Sequence, residues 1–582
     1  MHLQTKTFIK FMLPVLGLLG ASQAQAQGVS YEPPSVDYVD AGSAAAQPMP
    51  SRIAPPEEQG PPPPRAERPR ARVDVGAYVE VQQGVSAELS GGGSLGGDDE
   101  ILTYTSLAAG VEGQVVTRRV AASFGYSYAR QVELTGDLPD DDIHSGIAQV
   151  RAELVPGTVS IEAGGIATRT GGRGRALGVS NRESGAEVFS GYAGPTVTSR
   201  AGPVALNAFY RLGYVSVDDD SLAGLASPEG SFNSTVHVAG ASASMAPGQL
   251  PFGWNVSAGH VSESSSSFDT NFESQFVRGD AVLPVNPSLA LTAGIGYSRG
   301  QASQSDLRRG PDGQPVIDAQ GNFIADPARP RLTTYDQDGV FADAGFIWRP
   351  TPRSELQLRA GINDDGDPII AGSAAFQVGR FFGFSFNLYD NDETFGSSLV
   401  RNINDLPDNF KVERDPLSGG FLSGCVFSED QPGRGVCLSP ALQALTGASF
   451  RARGGSLLFS GTGRLWNWGG GVTYARRDYY LPDDPIFENA FAPNDQDLAL
   501  FGSVGRRLGR DADIGFDGYL SFYNSDAAIN NEAVTIGGRT TFTRSFLLNR
   551  LELVVALGLL YRSLDADDSL TADGLIGLRY TF

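Results

Sequence analysis

The sequence predicts an all-β chain: a large single-chain transmembrane antiparallel β-barrel of about 22 strands, within a range of 18 to 24, preceded by a signal peptide and a disordered Pro-rich segment. Three observations carry this. Apolar residues recur at every second position in segment after segment. Beyond Val73 no apolar run approaches the roughly 20 residues that a spanning helix needs. Ten short, turn-like connections alternate with longer, more acidic ones.

The first element is a processing signal. Lys6 and Lys10 precede the apolar run Phe11 to Leu19 and the small-residue exit Ala24-Gln25-Ala26, which is the layout of a secretory signal over residues 1–26, cleaved between Ala26 and Gln27. Residues 27–72 form the second. They hold 11 of the 35 prolines and almost no aliphatic periodicity, so the segment cannot build a core. Stretched as polyproline II it reaches on the order of 140 Å, which suits a periplasmic spacer or the contact for a periplasmic partner.

Residues 73–582 are the barrel. Leu551, Leu553, Val555, Leu557, Leu559 and Tyr561 alternate with Glu552, Val554, Ala556, Gly558, Leu560 and Arg562. Val204, Leu206, Ala208, Tyr210, Leu212 and Tyr214 alternate with Ala205, Asn207, Phe209, Arg211 and Gly213. One face of each is apolar and the other mostly small, polar or Arg, as a strand between lipid and lumen requires. Gly at 73 of 582 residues is high, yet no Gly-X-Y period makes the chain collagenous.

Turn chemistry sets the strand count. Pro-, Gly- or Arg-bearing connections fall at 117–119, 155–158, 200–203, 247–251, 284–287, 350–353, 379–381, 464–467, 508–511 and 547–549. Ten such turns, with both termini on one side, imply 22 strands. The alternate connections are longer, and the two longest, near 301–332 and 395–448, are expected outside the cell, although either is long enough to fold inward and constrict the bore. All four Trp lie within a few residues of the short turns, as an interfacial belt requires.

Charge and chemistry exclude more than they select. Forty-four Lys plus Arg against 66 Asp plus Glu leave a net charge of −22, which disfavours nucleic acid as a partner. Cys425 and Cys437 share the longest loop and read as a disulfide; two thiols without a nearby His make an incomplete zinc shell. No catalytic, cofactor or metal set emerges, and the chain is not read as an enzyme. The sharpest candidate is His260-Val261-Ser262, where base and nucleophile share a strand face, but Glu263 and the run Ser264 to Ser267 look like a solvated loop. Arg211, Arg359, Arg562 and Arg579 are expected to face inward, either setting the field of a wet lumen or pairing with inward acids such as Glu355 and Glu552.

At its end Ile576, Leu578, Tyr580 and Phe582 alternate with Gly577, Arg579 and Thr581. This strand resembles the C-terminal signal read by the barrel assembly machinery of Gram-negative outer membranes. At Arg278-Gly279-Asp280-Ala281-Val282-Leu283-Pro284-Val285-Asn286-Pro287, at Gly424-Cys425-Val426-Phe427 with Cys437-Leu438, and at Phe450-Arg451-Ala452-Arg453-Gly454, the chain resembles a sphingomonad-type alphaproteobacterial family of exported barrels. Its members are often labelled preprotein translocase subunits, a label at odds with the single inner-membrane helix of the true subunit, and the resemblance implies no established role. Arg464 to Tyr480 is more loosely similar to barrels associated with exopolysaccharide loci.

The expected partners are outer-membrane lipid and lipopolysaccharide, the assembly machinery and a periplasmic contact of the Pro-rich segment. The expected function is a passive channel or export conduit. A structural envelope barrel with a plugged lumen is the alternative, and an outer-membrane lipid hydrolase through His260 and Ser262 a minor one. A TonB-dependent transporter is disfavoured, because no plug domain of well over a hundred residues precedes the barrel.

Overall fold

The computed structural model describes residues 71–90, 101–135, 141–171, 185–218, 231–248, 250–318, 323–379, 381–411, 415–417, 424–483, 492–526, 532–564 and 567–582. The signal segment with Ala26 and Gln27, and the Pro-rich segment up to residue 70, lie outside them. Among the described residues, 22 strands form one sheet in which each strand pairs antiparallel with the next. The first strand, Arg72–Ser90, also pairs antiparallel with the last, Asp567–Thr581, in a register that includes Tyr78 opposite Thr581. An all-antiparallel sheet closes on itself this way only with an even number of strands.

All ten expected turns are the short connections between consecutive strands, and chain alternation places them at one end of the barrel. Each has a local cause. Thr117 accepts the Val120 N–H on its hydroxyl at 2.9 Å. Gly157 supplies a φ of 68° that a side chain would resist. At Leu547, Leu548 and Asn549 three successive residues turn left-handed. The opposite end carries the long connections, and we call the two ends the turn end and the loop end.

Alternation does what the sequence implies. Leu557, Leu559, Ile295, Leu212 and Tyr214 stand exposed on the outer face, while Tyr78, Glu80, Gln82 and Ser86 of the first strand are buried toward the lumen. Trp348, Trp466 and Trp468 are exposed on the outer face near the turn end, and Trp254 stands on the outward register of its own strand there.

The wall has one low point. Ser354–Ile362 and Pro368–Val378 form a hairpin of nine and eleven residues between longer neighbours. Its ladder with Leu332–Thr351 ends at Ala342 opposite Ile362, so the longer strand continues above the hairpin toward the loop end. A notch two strands wide is left at the loop end.

The described residues of 395–448, a segment set among the outside loops by its length, run into the bore instead, as that length also allowed. Helix α1 (Phe395–Asn404) packs on strands Val159–Thr170, Ala186–Ala201, Val204–Asp218 and Phe232–Met245. Its residues Phe395, Leu399, Val400 and Ile403 are buried in one core with wall residues such as Val188, Val215 and Val236. Burying four such side chains contributes roughly 6 to 12 kcal/mol before conformational entropy is subtracted. The inner face of these strands is apolar where the helix lies, and that makes the inward path the stable one.

Candidate functional site

The site is the lumen and the segment that fills it. At its entry, Thr394 caps α1 and takes part in a capping box with Ser397. Glu263 of the wall reaches the same turn, accepting the Ser397 N–H at 2.9 Å and the Thr394 hydroxyl. An acid at a helix N-terminus meets unsatisfied N–H groups and the positive end of the dipole. At the other end of α1, the Asn404 carbonyl accepts from Gln149 at 3.1 Å, and its side-chain oxygen accepts from Arg211 at 3.0 Å.

The segment then descends. Ser123 donates to the Asp408 carbonyl at 3.0 Å, and Gln114, two residues from the turn-end limit of its strand, donates to Phe410 and to Glu429. Asp408 keeps an exposed side chain, and the partial desolvation of its place in the lumen still pushes its carboxyl up against the opposing pull of Arg151.

A small hairpin follows, Cys425–Phe427 with Gly435–Cys437, its cysteines directly opposed and joined as a disulfide. The bond therefore lies inside the barrel, not on an exposed loop. The hairpin tip bonds the far wall: the Gly433 carbonyl accepts from Ser385 at 2.7 Å and its N–H donates to Ser460 at 2.6 Å. Helix α2 (Ser439–Gln443) is then fixed through the Pro440 carbonyl, which accepts from buried Arg477 at 2.8 Å. Arg539 pairs with Asp415 on yet another side. A segment that touches so many strands around a closed wall can only lie within it.

Three of the four expected lumen arginines face inward into tight pairs, Arg211 and Arg359 with partners other than Glu355 and Glu552, while Arg579 stands directly opposite Glu552 in the strand register. Arg211 binds Glu162 and the Thr196 hydroxyl. Arg359 lies 3.0 Å from Asp280, in a network where Arg278 grips Asp343 with two bonds of 2.7 and 2.9 Å. Arg579 is 3.1 Å from Glu112, and its guanidinium sits 3.6 Å from the Tyr78 ring centre. Arg562 stands opposite buried Thr535. Glu355 pairs instead with Arg349. The pairing bonds run across strands, which sequence spacing does not reveal.

At the loop end a half-open cleft lies beside the notch, lined by Ser274, Ser298, Asn363, Asp364, Asn391 and Arg451 among others. Asp364 swings in from the short hairpin's turn to accept from Ser298 at 3.0 Å. Tyr335 and Tyr480 stack at 4.1 Å and both donate to Asp392. Two loop systems thus meet across the notch through one carboxylate. Period-two alternation carries no sign of this cleft, because a shortened hairpin creates it.

His260 and Ser262 do not reach the lumen. They share the outward face of Gly253–Ser265, whose inward positions are Asn255, Ser257, Val261 and Glu263. Ile576, Leu578 and Phe582 are exposed on the outer face of the last strand.

A closed 22-stranded antiparallel barrel with an apolar outer face, a polar wall inside and a disulfide in its lumen is a β-barrel of the Gram-negative outer membrane. No protein-family model matches the chain, and no curated protein matches it. Solved structures similar to it include the FrpB iron transporter of Neisseria meningitidis, at 12% identity over 87% of this chain and 82% of that one, with a TM-score of 0.40. They also include the ferric-catecholate import receptor Fiu of E. coli K12, at 10% over 88% and 82%, TM-score 0.44. The alcaligin outer-membrane receptor FauA of Bordetella pertussis matches at 13% over 87% and 76%, TM-score 0.35.

Proposed function

We propose that this barrel is a conduit for small polar solutes, closed at rest by its own segment 394–449, and not primarily an enzyme. The observation that carries the reading is the uneven seating of that segment. Its large apolar core lies against one sector of the wall; elsewhere it makes only small apolar contacts, such as Leu417 on Ala556 and Leu575, and is held mainly by hydrogen bonds and ion pairs such as those of Ser385, Ser460 and Arg539. Polar contacts of this kind exchange with water at small net cost when the segment shifts. A barrel filled for rigidity alone would favour apolar packing all round. The structural reading rests on the buried core around α1, whose apolar residues resist displacement.

We also read the last strand, with Ile576, Leu578, Tyr580 and Phe582, as the signal for barrel assembly, and the Pro-rich segment as the contact for a periplasmic partner. The family resemblance at residues 278–287 and 450–454 is consistent with an exported envelope protein.

The test is single-channel conductance of the mature protein, with residues 394–449 either intact or replaced by a short turn. A closed or flickering wild type and a large, stable conductance in the shortened chain are expected. Silence in both would overturn the conduit and leave the structural barrel.

A further inference from the structure

One group of polar side chains on the outer face is used by neither lumen nor plug. Ser262 stands opposite Glu273 of strand Thr270–Asn286 on one flank and opposite His237 of Phe232–Met245 on the other. Residues directly opposite in an antiparallel pair hold their Cβ atoms roughly 5 Å apart, on the same face. His260, two residues before Ser262, shares that face, and its Nδ1 lies 3.9 Å from Glu273 Oε1.

This environment differs from those of the other described histidines. His144 and His237 each engage a tyrosine hydroxyl through Nδ1 at 2.7 Å, from Tyr126 and Tyr210. Only His260 has a carboxylate at Nδ1 and a serine beside it. The Glu273 carboxylate stands 3.9 Å from Nδ1, beyond hydrogen-bond length, and a small rotation of either exposed side chain brings the two into contact and leaves Nε2 for a hydroxyl, the division of labour in a serine–histidine–acid triad. In the tautomer in which the Tyr210 hydroxyl donates to Nδ1, His237 carries its proton on Nε2 and offers a donor on the other flank of Ser262 suited to an oxyanion.

The height also fits. Trp254 marks the turn-end belt, and Ser262 is eight residues further along the strand. At ~3.3 Å per residue and a tilt of about 40°, that is about 20 Å of rise. The apolar band of such barrels is about 25 Å tall, so the group lies at its far edge, where the acyl esters of membrane lipids are found.

We propose that Ser262, His260 and Glu273 form an acyl-ester hydrolase site on the outer face of the barrel, acting on lipids of the adjacent leaflet. Ser262 Oγ attacks the ester carbonyl carbon while His260 Nε2 takes the hydroxyl proton. The carbon–oxygen bond to the alcohol breaks, the alcohol leaves with that proton, and the acyl group stays on Ser262. Water then attacks the acyl carbon and gives a proton to His260. The bond to Oγ breaks, the proton returns to Oγ, and the fatty acid departs. Ser262 and His260 are the catalytic residues. Glu273 is a positioning residue that acts through His260. The site neither rests on the conduit reading nor conflicts with it.

The test uses the full-length folded protein in detergent and in phospholipid vesicles, with two readouts: covalent labelling of Ser262 by a fluorophosphonate, and release of fatty acid. Labelling and release are expected in the wild type and lost in Ser262→Ala, with at least a tenfold drop in His260→Ala. In Glu273→Gln kcat should fall with KM unchanged, and Glu273→Asp should recover part of it; a merely structural Glu273 would lower the yield of folded barrel instead. The heat-modifiable mobility of the barrel reports folding, and Ser262→Cys, which restores a nucleophile, should recover part of the hydrolysis. Folded wild type with no label on Ser262, and no release above Ser262→Ala, would overturn the proposal.

Discussion

The carboxylate of Glu263, on the barrel wall, accepts the backbone N–H of Ser397 at 2.9 Å, so a residue of the cylinder caps the helix that closes it. Wall and plug are joined at a point where neither is complete alone: the acid is buried, and the helix's first turn has N–H groups to satisfy.

Glu263→Gln should therefore loosen α1 without unfolding the barrel. Loss of a charged acceptor at a helix N-terminus costs about 1 to 2 kcal/mol. Hydrogen exchange of the α1 amides should quicken roughly tenfold while the strand amides keep their protection. Unchanged exchange would mean that Thr394 alone suffices.

Replacing Cys425 and Cys437 by Ser should leave the barrel folded and the hairpin tip loose. The 12-residue separation closes a loop worth on the order of 3 kcal/mol in the chain-entropy model. Limited proteolysis added from the turn end should cut within 426–436 in the variant and spare the oxidised wild type.

Arg359→Met removes one of two cations that neutralise Asp280 and Asp343 in a buried network. Breaking such a group leaves an uncompensated charge and costs about 3 kcal/mol or more. A lower urea midpoint for unfolding is the expected outcome; wild-type stability would show that Arg278 alone balances both acids.

The raised carboxyl of Asp408 gives the plug a pH dependence of definite sign. Its folded form holds a proton more tightly than the unfolded chain does, so seating is weakest at neutral pH. It strengthens as pH falls from the raised value toward the usual carboxylate range near 4. Asp408→Asn should abolish that part of the trend and tighten the plug at neutral pH, as read by hydrogen exchange at Phe410 across a pH series.

Deleting Phe582 should lower the yield of folded barrel and leave the properties of the assembled fraction unchanged. Heat-modifiable mobility in membrane fractions measures this, and normal yield would remove the C-terminal signal.

The wall was legible because its causes are local. Period-two alternation follows from lipid on one face and lumen on the other, and turn residues such as Gly157 and Pro203 mark every reversal at the turn end. The lumen was not, because its contacts join residues far apart in sequence: Gln114 with Glu429, Arg211 with Asn404, Arg539 with Asp415. The amphipathic α1 was the available signal, four apolar residues at helical spacing within a loop. The position of Glu273 beside Ser262 needed strand register, which no count of residues across a loop supplies.

The closed seam has a consequence for the plug. Joining Tyr78 to Thr581 brings together positions about 500 residues apart, and loop-closure entropy for such a length is about 5 kcal/mol plus a constant. Within one short stretch of the plug, Phe410 is bound by Gln114 of the second strand, and Leu417 packs on Ala556 and Leu575 of the last two. The stretch therefore touches the wall on both flanks of the seam, one strand away on one side and at the last strand on the other. Release of the plug would therefore loosen the barrel on both flanks of its own closure, not only open its bore.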